Sequence, residues 1–147
     1  MKNLALYRIP IAYLLFYVIA ILVTGIWLFL LSQGLDSSEG FNALLLEIIA
    51  KPEMKSLHNF VEVAAPHMFA MGAMVFVVAH FMLFNTKVSQ KRSLMLSSLL
   101  YIAMFGNIFA YLAIMFGFVL SGWIKILSIL LFVGLFLILL GMVAFSL

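Results

Sequence analysis

The chain has no cysteine, which removes disulfides, iron–sulfur clusters, thiolate zinc sites and covalently attached c-type haem. Any metal or cofactor must be held by histidine, methionine, carboxylate, tyrosine or backbone groups. Charge is the second scarcity. Only 9% of the 147 residues are charged and 67% are hydrophobic, against about a quarter charged and about half apolar in a soluble domain. The solvent this chain is built for is lipid. Its formal charge of +3 is scattered over the ends of apolar stretches and forms no patch, so nucleic acid is not an expected partner. Also missing are a Ser/His/Asp arrangement, a phosphate-binding loop, paired intramembrane carboxylates and a row of arginines. These absences argue against a hydrolase, a nucleotide-driven pump and a voltage sensor. No internal repeat is visible, so an inverted-repeat transporter is not suggested.

Four apolar stretches are present, Ile9 to Leu31, Phe60 to Phe84, Leu94 to Gly117 and Trp123 to Leu147, each at or beyond the roughly 20 residues that cross the hydrocarbon. The first follows Lys2 and Arg8 as a secretory signal would, but it is too long and has no small-residue cleavage site, so it reads as a retained helix. The expected fold is an all-α integral membrane four-helix bundle, up-down-up-down, in one domain over residues 1–147. Basic residues gather before the first span and in the Asn85 to Arg92 connection, which predicts that both termini are cytoplasmic, in a bacterial inner membrane. Trp123 and Lys125 would then sit at the outer interface, the lysine snorkelling toward it.

The connection between the first two spans is the only long one. Within it Phe41, Leu44, Leu45, Ile48 and Ile49 follow a single helical stripe, which predicts a short amphipathic helix over about 36–51 in the outer interface. Asp36 and Glu39 have the spacing of a capping box, and Pro52 would end the helix. Small residues recur at sevens, Ala65, Gly72 and Ala79 on the second span and Gly134 and Gly141 on the fourth; these are expected to be close-packing faces between helices.

Ionisable residues within a span are costly and therefore informative. All three histidines, His58, His67 and His80, and the carboxylate of Glu62 fall on the second span. His58 and Glu62 are one turn apart on one side, spaced to share a proton or a metal ion, although two groups at a wet interface are the blander reading. His67 follows Pro66, whose missing N–H leaves the Glu62 carbonyl without its helical partner; the plainer role for His67 is a hydrogen bond to backbone or a tyrosine. His80 lies about 20 Å further along the axis, where it can also reach an interface.

Two histidines 13 residues apart on one membrane helix resemble the axial-ligand pattern of dihaem b-type cytochromes. That resemblance implies haem b, with His67 the ligand of an outer haem and His80 of an inner one. Thirteen residues leave the two side chains about 140° apart, and the family's second pair of histidines has no counterpart here. The other axial ligand would come from a second copy of the chain, another subunit, or methionine; Met95 and Met142 fall near the level of His80, and Met115 somewhat beyond that of His67. The segment Pro66-His67-Met68-Phe69-Ala70-Met71-Gly72 is similar to small bacterial four-helix membrane proteins. Met71 and Met74 share a face with His67, a donor set that copper(I) accepts, although a methionine stripe is more often core. Asn107, in the middle of the third span with Tyr101 and Tyr111 nearby, is expected to bond across the bundle to the second.

These features lead to the expectation of a haem b-binding electron-transfer protein that exchanges electrons with quinone, as a homodimer or as a subunit of a respiratory complex. Two alternatives stand beside it. One is a non-catalytic structural subunit of a larger membrane complex. The other is handling of a metal ion or proton by Glu62, His58, His67 and the methionines.

Overall fold

The computed structural model describes residues 8–35, 40–50, 52, 56–83 and 87–146. Lys2 and the expected capping box at Asp36 and Glu39 lie outside the described residues, as do Lys51, Glu53 and Lys55. Five helices follow one another: α1 (Arg8–Ser32), α2 (Phe41–Ala50), α3 (Leu57–Met82), α4 (Gln90–Met115) and α5 (Trp123–Ser146). Among the described residues there is no strand. All but α2 are long and apolar enough to cross a bilayer, so the protein is a four-helix membrane bundle.

Capping explains where the helices depart from the apolar stretches. Ser56 accepts a hydrogen bond from the Asn59 N–H at 3.2 Å, satisfying one of the free donors at the start of α3. The helix therefore begins at Leu57 and carries His58 and Asn59 in its first turn. Similarly α4 begins at Gln90, because its polar first turn is helical although not apolar. Gly34, at φ 90°, ends α1. The Leu35 N–H reaches the Leu30 carbonyl at 3.2 Å and the Gly34 N–H reaches Leu31 at 3.0 Å, a pair of bonds that needs a left-handed residue after the helix.

The four spans do not pack as a square. Helices α3, α4 and α5 pack against one another in a three-helix nucleus, while α1 lies against α5 and stands off from α3. Val75, Val78, Met82, Leu100, Phe136 and Leu139 fill the centre of the nucleus, and α1 adds only Ile11 and Val18 to the buried core. Two contacts fasten the end where Arg8, Lys87, Lys91 and Arg92 gather. The buried Ser93 hydroxyl donates to the Met82 carbonyl at 2.8 Å, and the Lys87 ammonium donates to the Phe145 carbonyl.

The opposite end carries α2. Leu44 and Ile48 are buried, Leu45 and Ile49 half-buried and Phe41 exposed, so the expected stripe is turned inward apart from its first residue. The helix begins at Phe41 and stops before Pro52. Its last turn is clasped by the α4–α5 connection, where the Gly122 N–H and the Ser121 hydroxyl both donate to the Ile49 carbonyl, at 3.1 and 3.2 Å. A Cβ at residue 122 would stand 1.9 Å from the Ile48 carbonyl oxygen, so this approach requires glycine.

The residues repeating at sevens are not the faces that pack within the chain. Ala65 is exposed while Ala64 is buried, and a Cβ at Gly72, Gly134 or Gly141 would meet nothing within 4 Å. Instead α3 packs inward through Ala64, Met71, Val75, Val78 and Met82. Branched and flexible side chains interdigitate there, and the small-residue face is rotated by one residue, about 100°.

Candidate functional site

Because α1 stands away from α3, the nucleus and α1 enclose a cavity of about 340 Å³ toward the α2 end. Gly25 and Phe29 of α1, with Gln33 just after it, form one wall; Phe60, Val63, His67 and Met71 of α3 form another. Asn107 and Tyr111 of α4 and Lys125 of α5 complete it. The walls are largely apolar, with a few polar groups converging on the space, the usual composition of a small-molecule site.

His67 is held by its own helix. Its Nδ1 lies 2.8 Å from the Val63 carbonyl, and since a carbonyl only accepts, Nδ1 carries the hydrogen. In the neutral ring Nε2 is then left with a lone pair. The imidazole turns back over the turn that Pro66, with no N–H, leaves one hydrogen bond short.

Lys125 does not snorkel outward. Its ammonium donates to the backbone carbonyl of Asn107 at 2.9 Å, so it points into the protein and lines the cavity. The Ser128 hydroxyl donates to the Lys125 carbonyl at 2.8 Å and lies 3.5 Å from Asn107 Oδ1. These bonds also correct the expectation for Asn107, whose partners come from α5 and not from α3. Inward orientation wins because the Asn107 carbonyl lies within reach of the lysine and takes a hydrogen bond from its ammonium. Tyr111 stacks on Phe60, with ring centroids 6.2 Å apart and planes 6° from parallel, which closes the cavity beside Asn107.

The other candidate residues lie elsewhere. His58 and Glu62 are exposed on the outward side of α3, and among the described residues they form no ion pair with each other. His80 stacks against Phe76 at 6.1 Å, near the basic end and about 20 Å along the axis from His67; the two histidines are not brought together. Met71 is buried and serves both the core and the cavity wall. Met142 packs against the core. Among the described residues no three histidine or carboxylate side chains cluster as a metal site. Lys125 is the residue that sequence reasoning misplaced. The sequence marks it as the only charge within α5 but gives no direction for its side chain.

Four membrane-crossing helices around an internal, largely apolar cavity define a polytopic integral membrane protein. Residues 47–147 match the Aq_1264_TM family model, a transmembrane helical domain, and the chain belongs to that family. The matched segment contains all of α3, α4 and α5, with His67, Asn107, Tyr111 and Lys125, and leaves α1 outside. No curated protein and no solved structure matches the chain. The membership agrees with the similarity of the Pro66 to Gly72 segment to small bacterial membrane proteins, and the comparisons show no cytochrome relative.

Proposed function

We propose that the protein binds the ring headgroup of a quinone in the cavity between α1 and the α3–α5 nucleus, and that it serves electron and proton transfer in a bacterial inner membrane, by itself or within a respiratory complex. The carrying observation is that His67 and Lys125, two ionisable side chains within spans, line one cavity. Such groups are costly in lipid and mark ligand or proton pathways where they face an internal space. A quinone carbonyl needs a donor, and the Lys125 ammonium supplies one; a quinol hydroxyl needs an acceptor, and Nε2 of His67 supplies it. Aromatic and aliphatic walls suit the ring, and the separation of α1 from α3 suits a tail that stays in lipid. The basic residues at the far end support an orientation with the α2 end, and with it the cavity, on the outer side.

Titration of the detergent-purified protein with a short-chain quinone tests this reading. Lys125→Met is expected to raise the quinone Kd about tenfold, since a hydrogen bond to a charged group contributes roughly 1.5 kcal/mol or more, and His67→Phe to raise the Kd of the corresponding quinol about fivefold, since a neutral hydrogen bond contributes about 1 kcal/mol. A wild type that binds no quinone removes it.

Haem b at His67 is a second reading, favoured by the Nδ1 bond to the Val63 carbonyl, the orientation in which a ligating histidine is commonly fixed. His80 and Met71 do not stand opposite His67, so the sixth ligand would come from another chain. A reduced-minus-oxidised spectrum decides: a b-type α band in the wild type that is lost in His67→Ala supports haem. If neither quinone nor haem binds, the structural-subunit reading stands in front.

A further inference from the structure

Helix α3 has a second regular face, turned away from the nucleus. One set of positions on it reads His58, Ala65, Gly72 and Ala79, the other Glu62, Phe69, Phe76 and Leu83. Together they advance along the helix in alternating steps of four and three, the spacing of a seam between two helices that supercoil left-handed. Within the membrane stretch the first set is always small and the second always large.

The protomer leaves the large residues of this face uncovered, with Ala65 exposed and Gly72 and Ala79 half-buried. Phe69, Phe76 and Leu83 are 81%, 62% and 50% exposed, and a Cβ at Gly72 meets nothing within 4 Å. Glycine in mid-helix is unfavourable, and membrane helices place small residues where another helix approaches; at Gly72 no helix of the same protomer does. His58 and Glu62 occupy the same two seam positions at the α2 end, and among the described residues neither has a hydrogen-bond partner. An imidazole donor and a carboxylate acceptor one turn apart are self-complementary. In a twofold pair, His58 of each copy meets Glu62 of the other.

We propose that two copies of the chain associate in parallel through this face of α3, with small-residue layers at 65, 72 and 79 alternating with large ones at 69, 76 and 83 and reciprocal His58–Glu62 contacts at the α2 end. The occupant is a second copy because both the small-and-large register and the acid–base pair match themselves at equal depth. A lipid chain would cover Phe69 and Phe76 but leave Glu62 unmatched. The seam lies about 170° around α3 from His67. The two cavities therefore open on the outer flanks of the dimer, and a haem clamped between His67 of both copies is incompatible with it. The dimer does not depend on whether a quinone fills the cavity.

The absence of native cysteine makes the test direct. Single-cysteine variants Ala65→Cys, Gly72→Cys and Ala79→Cys, oxidised in membranes, are expected to give a disulfide-linked dimer, while Ala70→Cys on the same helix but off the seam is not. In parallel, His58→Ala and Glu62→Ala are each expected to weaken association about eightfold, since either removes both reciprocal interhelical polar contacts of the pair, and the double variant no more than either alone. Linking at Ala70→Cys as strong as at Gly72→Cys, or a wild type that is monomeric in nanodiscs, overturns the proposal. Should a cysteine variant fail to insert, the mass of Gly72→Leu in nanodiscs decides: conversion to monomer supports the seam, and an unchanged dimer overturns it.

Discussion

Helix α1 and the α3–α5 nucleus are both built from membrane-spanning apolar sequence but held by different means. In the nucleus, residues of three helices share one core, and side chains reach from one helix to the backbone of another, as Ser93 does to Met82 and Lys125 to Asn107. The hydroxyls of α1 instead bond back within α1: Thr24 donates to the Ala20 and Ile21 carbonyls at 2.9 and 3.0 Å, and Ser32 to the Phe29 carbonyl at 2.8 Å. The family match covers the nucleus and not α1. In lipid, where burial gives little drive for one apolar helix to join another, packing detail and interhelical hydrogen bonds decide which helices form a unit. A helix with few of either remains a side wall.

This contrast can be broken at several places. Phe136, fully buried at the centre of the nucleus, should be the most sensitive: Phe136→Ala is expected to cost roughly 3 kcal/mol, the lower end of the range for buried phenylalanine because the ring leaves protein for lipid and not for water. Denaturation of the purified protein by a strong detergent measures it. Identical chemistry at two sites sharpens the comparison further. Val75→Ala in α3 is expected to cost about 2 kcal/mol and Val18→Ala in α1 under about 1 kcal/mol, since a loosely held helix can settle into the space left; equal costs would show α1 to be as integral as the others. Ser93→Ala leaves the Met82 carbonyl without its donor between helices and should cost about 1–2 kcal/mol in the same assay. Thr24→Val removes a bond that never leaves α1, and a change of less than about 0.5 kcal/mol is expected in thermal unfolding.

The spans were legible because length and apolarity alone define them, and α2 was legible from the Leu44 and Ile48 stripe. Orientation within the bundle was not. A membrane helix is apolar on every side, so periodicity cannot tell the core-facing Ala64 from the outward Ala65, and the small residues at sevens marked a face without saying whether its partner lay in the same chain. Helix ends slipped by a few residues where polar first turns, after Ser56 and Ser89, are helical despite lacking hydrophobicity. Within the candidate site, His67 was identifiable as an ionisable residue deep in a span. Lys125 was read as an interfacial residue because a lysine two positions into a helix ordinarily reaches water. Its inward turn depends on the Asn107 carbonyl, a partner 18 residues away on another helix, which no local pattern discloses.

The clasp between α2 and the α4–α5 connection has a mechanical consequence. Gly122 gives its N–H to Ile49, while its own carbonyl receives the N–H groups of Lys125 and Ile126, at 3.0 and 3.3 Å. Two adjacent residues, Ser121 and Gly122, thus join the end of α2 to the first turn of α5. Displacement of α2 is transmitted through them to the backbone that carries the cavity's ammonium group, so α2 works as a handle on the site.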